Sequence, residues 1–185
     1  MKRANLPWVL LLALALALSL LPGPLKAAPS LEYAVKAAYL PKFIPFITWP
    51  DGAFAGAGAP FTICLLGEDR FGGKLDQAAS GLRAGDHAVQ VRHLAAPDPS
   101  AHCQLIFLPA GSDPVSARGT LEAVRGRPVV TVTDSGLSVH GMISFVIENN
   151  HVRFDIDDAM AAEGGLVISS KLLGLAHAVK MRSQP

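Results

Sequence analysis

The sequence predicts an α/β domain, a layered α/β/α arrangement with a mostly parallel sheet plus an antiparallel C-terminal hairpin. Two patterns carry this reading. Short apolar runs rich in β-branched residues alternate with helix-period segments between residues 61 and 132, the order that builds a parallel sheet covered on both sides. After Gly141 the rhythm changes to two strand-like runs separated by Asn149 and Asn150, residues that tolerate the positive φ of a tight hairpin turn.

The elements follow in chain order. Leu31 to Trp49 opens with apolar residues at helical spacing, Tyr33, Ala34, Ala37, Ala38 and Leu40, so a first helix is expected there. Pro41 and Pro45 each remove a backbone donor and disfavour helix just before them, which places a kink or end near Leu40. Pro50 to Pro60 is a Gly, Ala and Pro-rich connection with Asp51 and Gly52 as turn residues. Phe61 to Leu66 is an apolar run closed by Gly67, the mark of a buried strand and its turn. A helix over Phe71 to Ala79, an alternating strand over His87 to Leu94 and an apolar strand at Leu105 to Leu108 come next. Val115 to Val124 reads as a helix stopped by Gly126, and Val129 to Val132 as a strand ending at Asp134. The hairpin strands are Met142 to Ile147 and Val152 to Ile156. Asp158 to Met181 is expected to be helix-rich, bent near Gly164 and Gly165, with Leu172, Leu175, Ala176 and Val179 as its apolar stripe.

The N-terminus has a different character. Lys2 and Arg3 precede an unbroken apolar run from Trp8 to Leu21, broken by Pro22, Gly23 and Pro24 and followed by small residues around Ala27 and Ala28. A spanning helix needs about 20 apolar residues, and this run is shorter, so residues 1–27 read as a secretory signal peptide cut after Ala27. Residues 28–185 then form a single domain of 158 residues, long enough to bury a core. Lys2, Arg3 and Lys26 leave with the leader, so 13 basic residues face 15 acidic ones and the formal charge is −2. That balance argues against a nucleic-acid partner.

Export gives the two cysteines a meaning. In an oxidising compartment Cys64 and Cys103 are expected to pair, and closing a loop of that size stabilises a domain by roughly 4 kcal/mol in the chain-entropy picture. No Cys-x-x-Cys occurs, which speaks against redox catalysis.

Catalytic and metal-binding patterns are missing. No serine sits in a Gly-x-Ser-x-Gly elbow, and Asp134-Ser135-Gly136 is ordinary turn chemistry. None of the 6 histidines lies three to five residues from another, as a local metal-ligand pair requires. The glycines at 67, 72 and 73 fit neither dinucleotide nor P-loop spacing. No cofactor is expected. Two groups remain as binding candidates. Phe43, Phe46 and Trp49, among the prolines, either offer an apolar surface to a partner protein or pack into the core. His151, Arg153 and Asp155 share one face of the second hairpin strand by period two, a face that either binds an anionic ligand or is simply solvated.

Several segments together resemble the YfiR family of periplasmic proteins. They are Tyr33-Ala34-Val35-Lys36-Ala37-Ala38-Tyr39-Leu40, Trp49-Pro50, Phe61-Thr62-Ile63-Cys64-Leu65-Leu66-Gly67, Cys103-Gln104-Leu105-Ile106-Phe107-Leu108 and Thr131-Val132-Thr133-Asp134, continuing with Gly141-Met142-Ile143-Ser144-Phe145, Val152-Arg153-Phe154-Asp155-Ile156 and Gly165-Leu166-Val167-Ile168-Ser169-Ser170-Lys171-Leu172-Leu173. In order and spacing they cover nearly all of residues 28–185. The resemblance implies a periplasmic, non-enzymatic regulator that represses an inner-membrane diguanylate cyclase through the cyclase's periplasmic sensor domain, lowering cyclic di-GMP and biofilm formation. It also implies sequestration by an outer-membrane, peptidoglycan-associated protein, and it leaves room for a homodimer. The family's disulfide matches Cys64 and Cys103, whereas a second cysteine pair found in the family has no counterpart here. Pro41 and Pro45 depart from the family's usual helical tract ahead of Trp49-Pro50. The rival reading is a periplasmic small-ligand-binding module of a sensor or transport system, which would show an apolar cleft with converging His or Arg.

Overall fold

A computed structural model describes residues 30–182. The expected leader, residues 1–27, lies outside the described residues. The helices are α1 (Leu31–Phe43), α2 (Lys74–Ala79), α3 (Pro114–Ala123), α4 (Asp158–Glu163) and α5 (Ser170–Leu173). The strands are β1 (Ile47–Thr48), β2 (Phe61–Leu66), β3 (Arg83–Ala84), β4 (His87–Leu94), β5 (Leu105–Leu108), β6 (Val130–Thr133), β7 (Ile143–Glu148), β8 (His151–Asp157), β9 (Val167–Ile168) and β10 (Ala178–Lys180).

The main sheet has 8 strands in the order β10-β8-β7-β6-β5-β2-β4-β3. Strands β4, β2, β5, β6 and β7 run parallel, as the alternating pattern required, and β8 returns antiparallel on β7. The turn between β7 and β8 is the two asparagines, with φ of 47° at Asn149 and 61° at Asn150, the left-handed pair that a two-residue hairpin demands. The chain steps from β2 outward to β4, then crosses back to β5 on the other side of β2. This reversal between β2 and β5 is the topological switch point of a doubly wound sheet.

Alternation along each strand divides the core in two. Phe61, Ile63 and Leu65 of β2, Leu105 and Phe107 of β5, Val130 and Val132 of β6, and the inner residues of β7 and β8 form one large cluster with α1 and α2. Cys64, Leu66, Ile106 and Leu108 face the other way and meet Val124, at the end of α3, and Val129, just before β6, in a small cluster.

Three expectations need correction. Helix α1 does not stop near Leu40 but continues through Pro41 to Phe43. Leu40, Pro41 and Phe43 are all buried there, so packing outweighs one lost hydrogen bond near the helix end. Pro45 then starts a short 3-10 turn, Ile44–Phe46, where its missing N–H is harmless. The second helix begins at Lys74 rather than Phe71. Asp69 accepts the N–H groups of Phe71 at 2.8 Å and Gly72 at 3.2 Å, holding that stretch as a turn.

The third correction concerns residues 158–181, which hold only short helical pieces, α4 and α5, interleaved with strands β9 and β10. Leu172 is buried while Leu175 is 63% exposed, and Val179 lies in β10 beside Ile156, so the expected stripe is not one face. The chain breaks where expected, at Gly164 and Gly165. A Cβ on Gly164 would sit 2.4 Å from the Arg127 carbonyl oxygen, and Gly165 has φ +71°.

Candidate functional site

The two groups of candidate residues occupy opposite faces of the β7–β8 hairpin. Phe43, at the end of α1, lies 5.1 Å edge-on from Phe154 and 6.1 Å from Phe145. It is 1% exposed and belongs to the core cluster. Phe46 and Trp49 are partly exposed and pack on the rim of the same cluster. Trp49 meets Phe61 edge to face at 4.9 Å, and its indole Nε1 is buried with no acceptor among the described residues. Just before it, β1 pairs antiparallel with β9, Ile47 opposite Ile168 and Thr48 opposite Val167. This small ribbon is what holds the Phe46–Trp49 segment in place, and Val167 on it is 53% exposed.

His151 and Arg153 stand on the other side of the hairpin, both exposed. The His151 ring donates from Nδ1 to the Asn149 carbonyl at 2.7 Å. Asp155, on the same face by strand period, is engaged by His177 at 2.8 Å, and Glu148, opposite His151 in the ladder, lies 3.4 Å from the other nitrogen of the His177 ring. These two carboxylates raise the His177 pKa above its ordinary value, the hydrogen bond to Asp155 contributing most. A face with two carboxylates among its cations favours a mixed polar contact over a simple anion.

Cys64 and Cys103 are joined in a disulfide, their Cα atoms 5.8 Å apart. The bridge ties β2 to the residue before Gln104, whose side chain accepts the Thr62 N–H at 2.8 Å and whose backbone N–H donates to the Thr62 carbonyl at 3.0 Å. It thus fixes the β2–β5 pair, where the sheet reverses direction.

At the carboxyl end of β6, sequence reasoning missed a buried polar network. Lys36 of α1 is 0% exposed and pairs with Asp134, also buried, and with Glu32 one turn earlier. Asp134 further accepts the Tyr33 hydroxyl at 2.5 Å and the N–H groups of Ala110 at 3.0 Å and Ser135 at 2.8 Å. Burial and this carboxylate push the Tyr33 phenol well above its usual range. Lys36 Nζ also donates to Ser135 Oγ at 3.0 Å, which brings the turn after β6 into the same network. In doubly wound sheets ligands enter outside the carboxyl ends of the strands. Here Tyr33 and Lys36 of α1 bond to that edge themselves. The signal was in the sequence: Lys36 falls on the same helical stripe as Tyr33, Ala37 and Leu40, a charge on the face that must be buried.

Among the described residues no group of three or more His, Cys, Asp and Glu could hold a metal ion, and no helix is long and apolar enough to cross a membrane. No curated protein sequence matches this one. A family match, described as YfiR/HmsC-like, spans residues 33–177, from the tyrosine of the buried network to the histidine that closes the hairpin. With most of its length accounted for in this way, the chain belongs to the YfiR/HmsC-like family.

Proposed function

We propose that the protein is exported to the periplasm after removal of residues 1–27 and there binds the periplasmic sensor domain of an inner-membrane diguanylate cyclase, holding it inactive and lowering cyclic di-GMP. Membership of the YfiR/HmsC-like family, over residues 33–177, is the observation that carries the reading. Such a repressor needs only different affinities for two states of its target and no catalytic group. The candidate contacts are the partly exposed Phe46 and Trp49, carried on the buried Phe43, and the separate face at His151 and Arg153. An outer-membrane, peptidoglycan-associated protein is the second partner in this scheme, competing for the repressor. The test is capture of the purified periplasmic domain of a neighbouring cyclase by the wild type and by Phe46→Ala, Trp49→Ala and Arg153→Ala. The first two should weaken capture most. Unchanged capture by all three variants rejects the site assignment, and no capture by the wild type rejects the function.

A second reading has one observation in its favour. A cleft of about 400 Å³, within the range of small-ligand sites, opens beside the disulfide between α3 and the 52–55 loop. Leu66, Leu94 and Ile106 floor it, with His102 and Arg127 at its edges. A small-ligand module would use this cleft. Saturable binding of a periplasmic metabolite, detected by calorimetry and lost in Arg127→Ala, would establish it.

A further inference from the structure

Helix α1 is apolar on both sides. Its inner side, with Ala37 and Leu40, is core. Its outer side carries Leu31, 81% exposed, then Ala34, Val35 and Ala38, ending at Lys42. An apolar outer stripe on a helix calls for a covering surface. Two shallow concavities of about 390 and 350 Å³ lie along it, and Ala38 and Lys42 line both. The larger is walled by Pro41 and Pro45 on one side and by Leu82, 42% exposed, and Val89 on the other. With 13 residues, α1 offers a track about 20 Å long.

The charges lining the two concavities have one sign. Lys42 and Arg83 are the charged residues lining the concavities, and no Asp or Glu lines either. Lys36 and Lys180 pair with carboxylates, whereas Lys42 pairs with none among the described residues. Arg83 spends its guanidinium on the Asp86 backbone carbonyl. An apolar floor between two cations without counter-charges complements an amphipathic helix with acidic residues beside its apolar face, laid into the groove. A second copy of the chain complements it poorly, since a two-fold contact needs a self-complementary patch, the concavities bring no carboxylate to meet Lys42 and Arg83, and Glu32 at the far end of the helix is already paired with Lys36.

We infer that the outer face of α1, from Leu31 to Pro45 with Leu82 and Arg83, docks an acidic amphipathic helix of a partner protein. This rests on the reading of the chain as a binding protein and adds a surface distinct from Phe46, Trp49 and Arg153. Two synthetic helical peptides with the same apolar face, one flanked by Glu and one by Lys, test the groove without knowledge of the partner. By fluorescence anisotropy the Glu peptide should bind the full mature chain at least tenfold more tightly than the Lys peptide. Lys42→Glu/Arg83→Glu should reverse that preference, and Ala38→Arg should abolish binding with an unchanged circular dichroism spectrum. Equal affinity for both peptides, indifference to the charge reversal, or a dimer in solution that Ala38→Arg dissociates would overturn the inference. Competition by the Glu peptide against the cyclase domain adds a separate arm. Selective peptide binding without competition would uphold the groove and count against the cyclase as its occupant.

Discussion

The two faces of the main sheet are built on different principles. On the broad face, apolar side chains from five strands, β2, β5, β6, β7 and β8, meet helix α1 and a run of neighbouring aromatics, Tyr39, Phe43, Phe145, Phe154, Phe107 and Phe71, most of them tilted or edge-on to one another. On the narrow face only β2 and β5 contribute buried apolar strand residues, Cys64, Leu66, Ile106 and Leu108. The next positions along the sheet, Thr131, Thr133 and Ser144, are buried hydroxyls, with Thr133 bonded to Ser144 at 2.9 Å. A cleft opens beside that thin cluster, and the disulfide lies in it. The broad face is held by buried area, which grows with every aromatic added. The narrow face has too little of it and relies on a covalent tie.

Phe43→Ala and Leu66→Ala should separate the two faces most widely. Deleting Phe43 from the broad face should cost about 4 kcal/mol in urea denaturation, as for a fully buried aromatic. Leu66→Ala on the narrow face should cost about 2 kcal/mol, because the void joins the adjacent cleft instead of standing enclosed. Equal losses would mean that the two faces are packed alike. Asp134→Ala should follow at about 3 kcal/mol by leaving the Lys36 ammonium buried with Glu32 alone, and Lys36→Met added to it should recover part of that loss. Reduction, or Cys64→Ala/Cys103→Ala, should remove about 3 kcal/mol through the narrow face. Leu66→Ala and the cysteine variant are close enough to couple, so their combined loss should depart from the sum, whereas Phe43→Ala and the cysteine variant should add.

What the sequence revealed follows the same division. The strands that feed both faces, Phe61 to Leu66 and Leu105 to Leu108, announce themselves, because residues buried on both sides of a parallel sheet leave no polar alternation to confuse. The hairpin was legible from two strand-like runs with Asn149 and Asn150 between them, since few other residues accept positive φ twice in succession. The C-terminal segment was not, because its strands are set by tertiary pairing. Two residues of β9 and three of β10 are too short for any periodicity, and both depend on partners distant in sequence, Ile47 and Asp155 among them. The site was legible only as residue types. Phe43 reads the same as Phe46 in the chain, and only the fold buries one and leaves the other at the rim.

A smaller effect is expected at the sheet's far edge, where β10 is held to β8 by exposed pairs instead of apolar area. His177 gains Asp155 and Glu148 on folding, so its folded pKa lies above the unfolded one. The stabilisation it brings is therefore complete below about pH 6.5, the unfolded histidine value, and is lost as pH rises through the folded value. Thermal melts from pH 5.5 to 8.5 should show His177→Gln losing stability relative to wild type at the acid end and matching it at the alkaline end. The opposite trend would mean that the ring is neutral in the pair.

The smallest effect is expected at Trp49, on the rim between core and surface. Its Nε1 is buried with no acceptor among the described residues, and an orphaned donor costs about 1–3 kcal/mol. Trp49→Phe removes that donor while keeping a ring against Phe61, and the apolar area lost works in the other direction, so the net change should stay within about 1 kcal/mol. Trp49→Ala removes the donor and the ring together and should cost several times more. The pair of variants therefore separates the indole's packing from its polarity. If Trp49→Phe proves destabilising by more than about 2 kcal/mol, the indole N–H has an acceptor in the folded protein, and the Phe46–Trp49 segment is a hydrogen-bonded part of the fold before it is a surface for a partner.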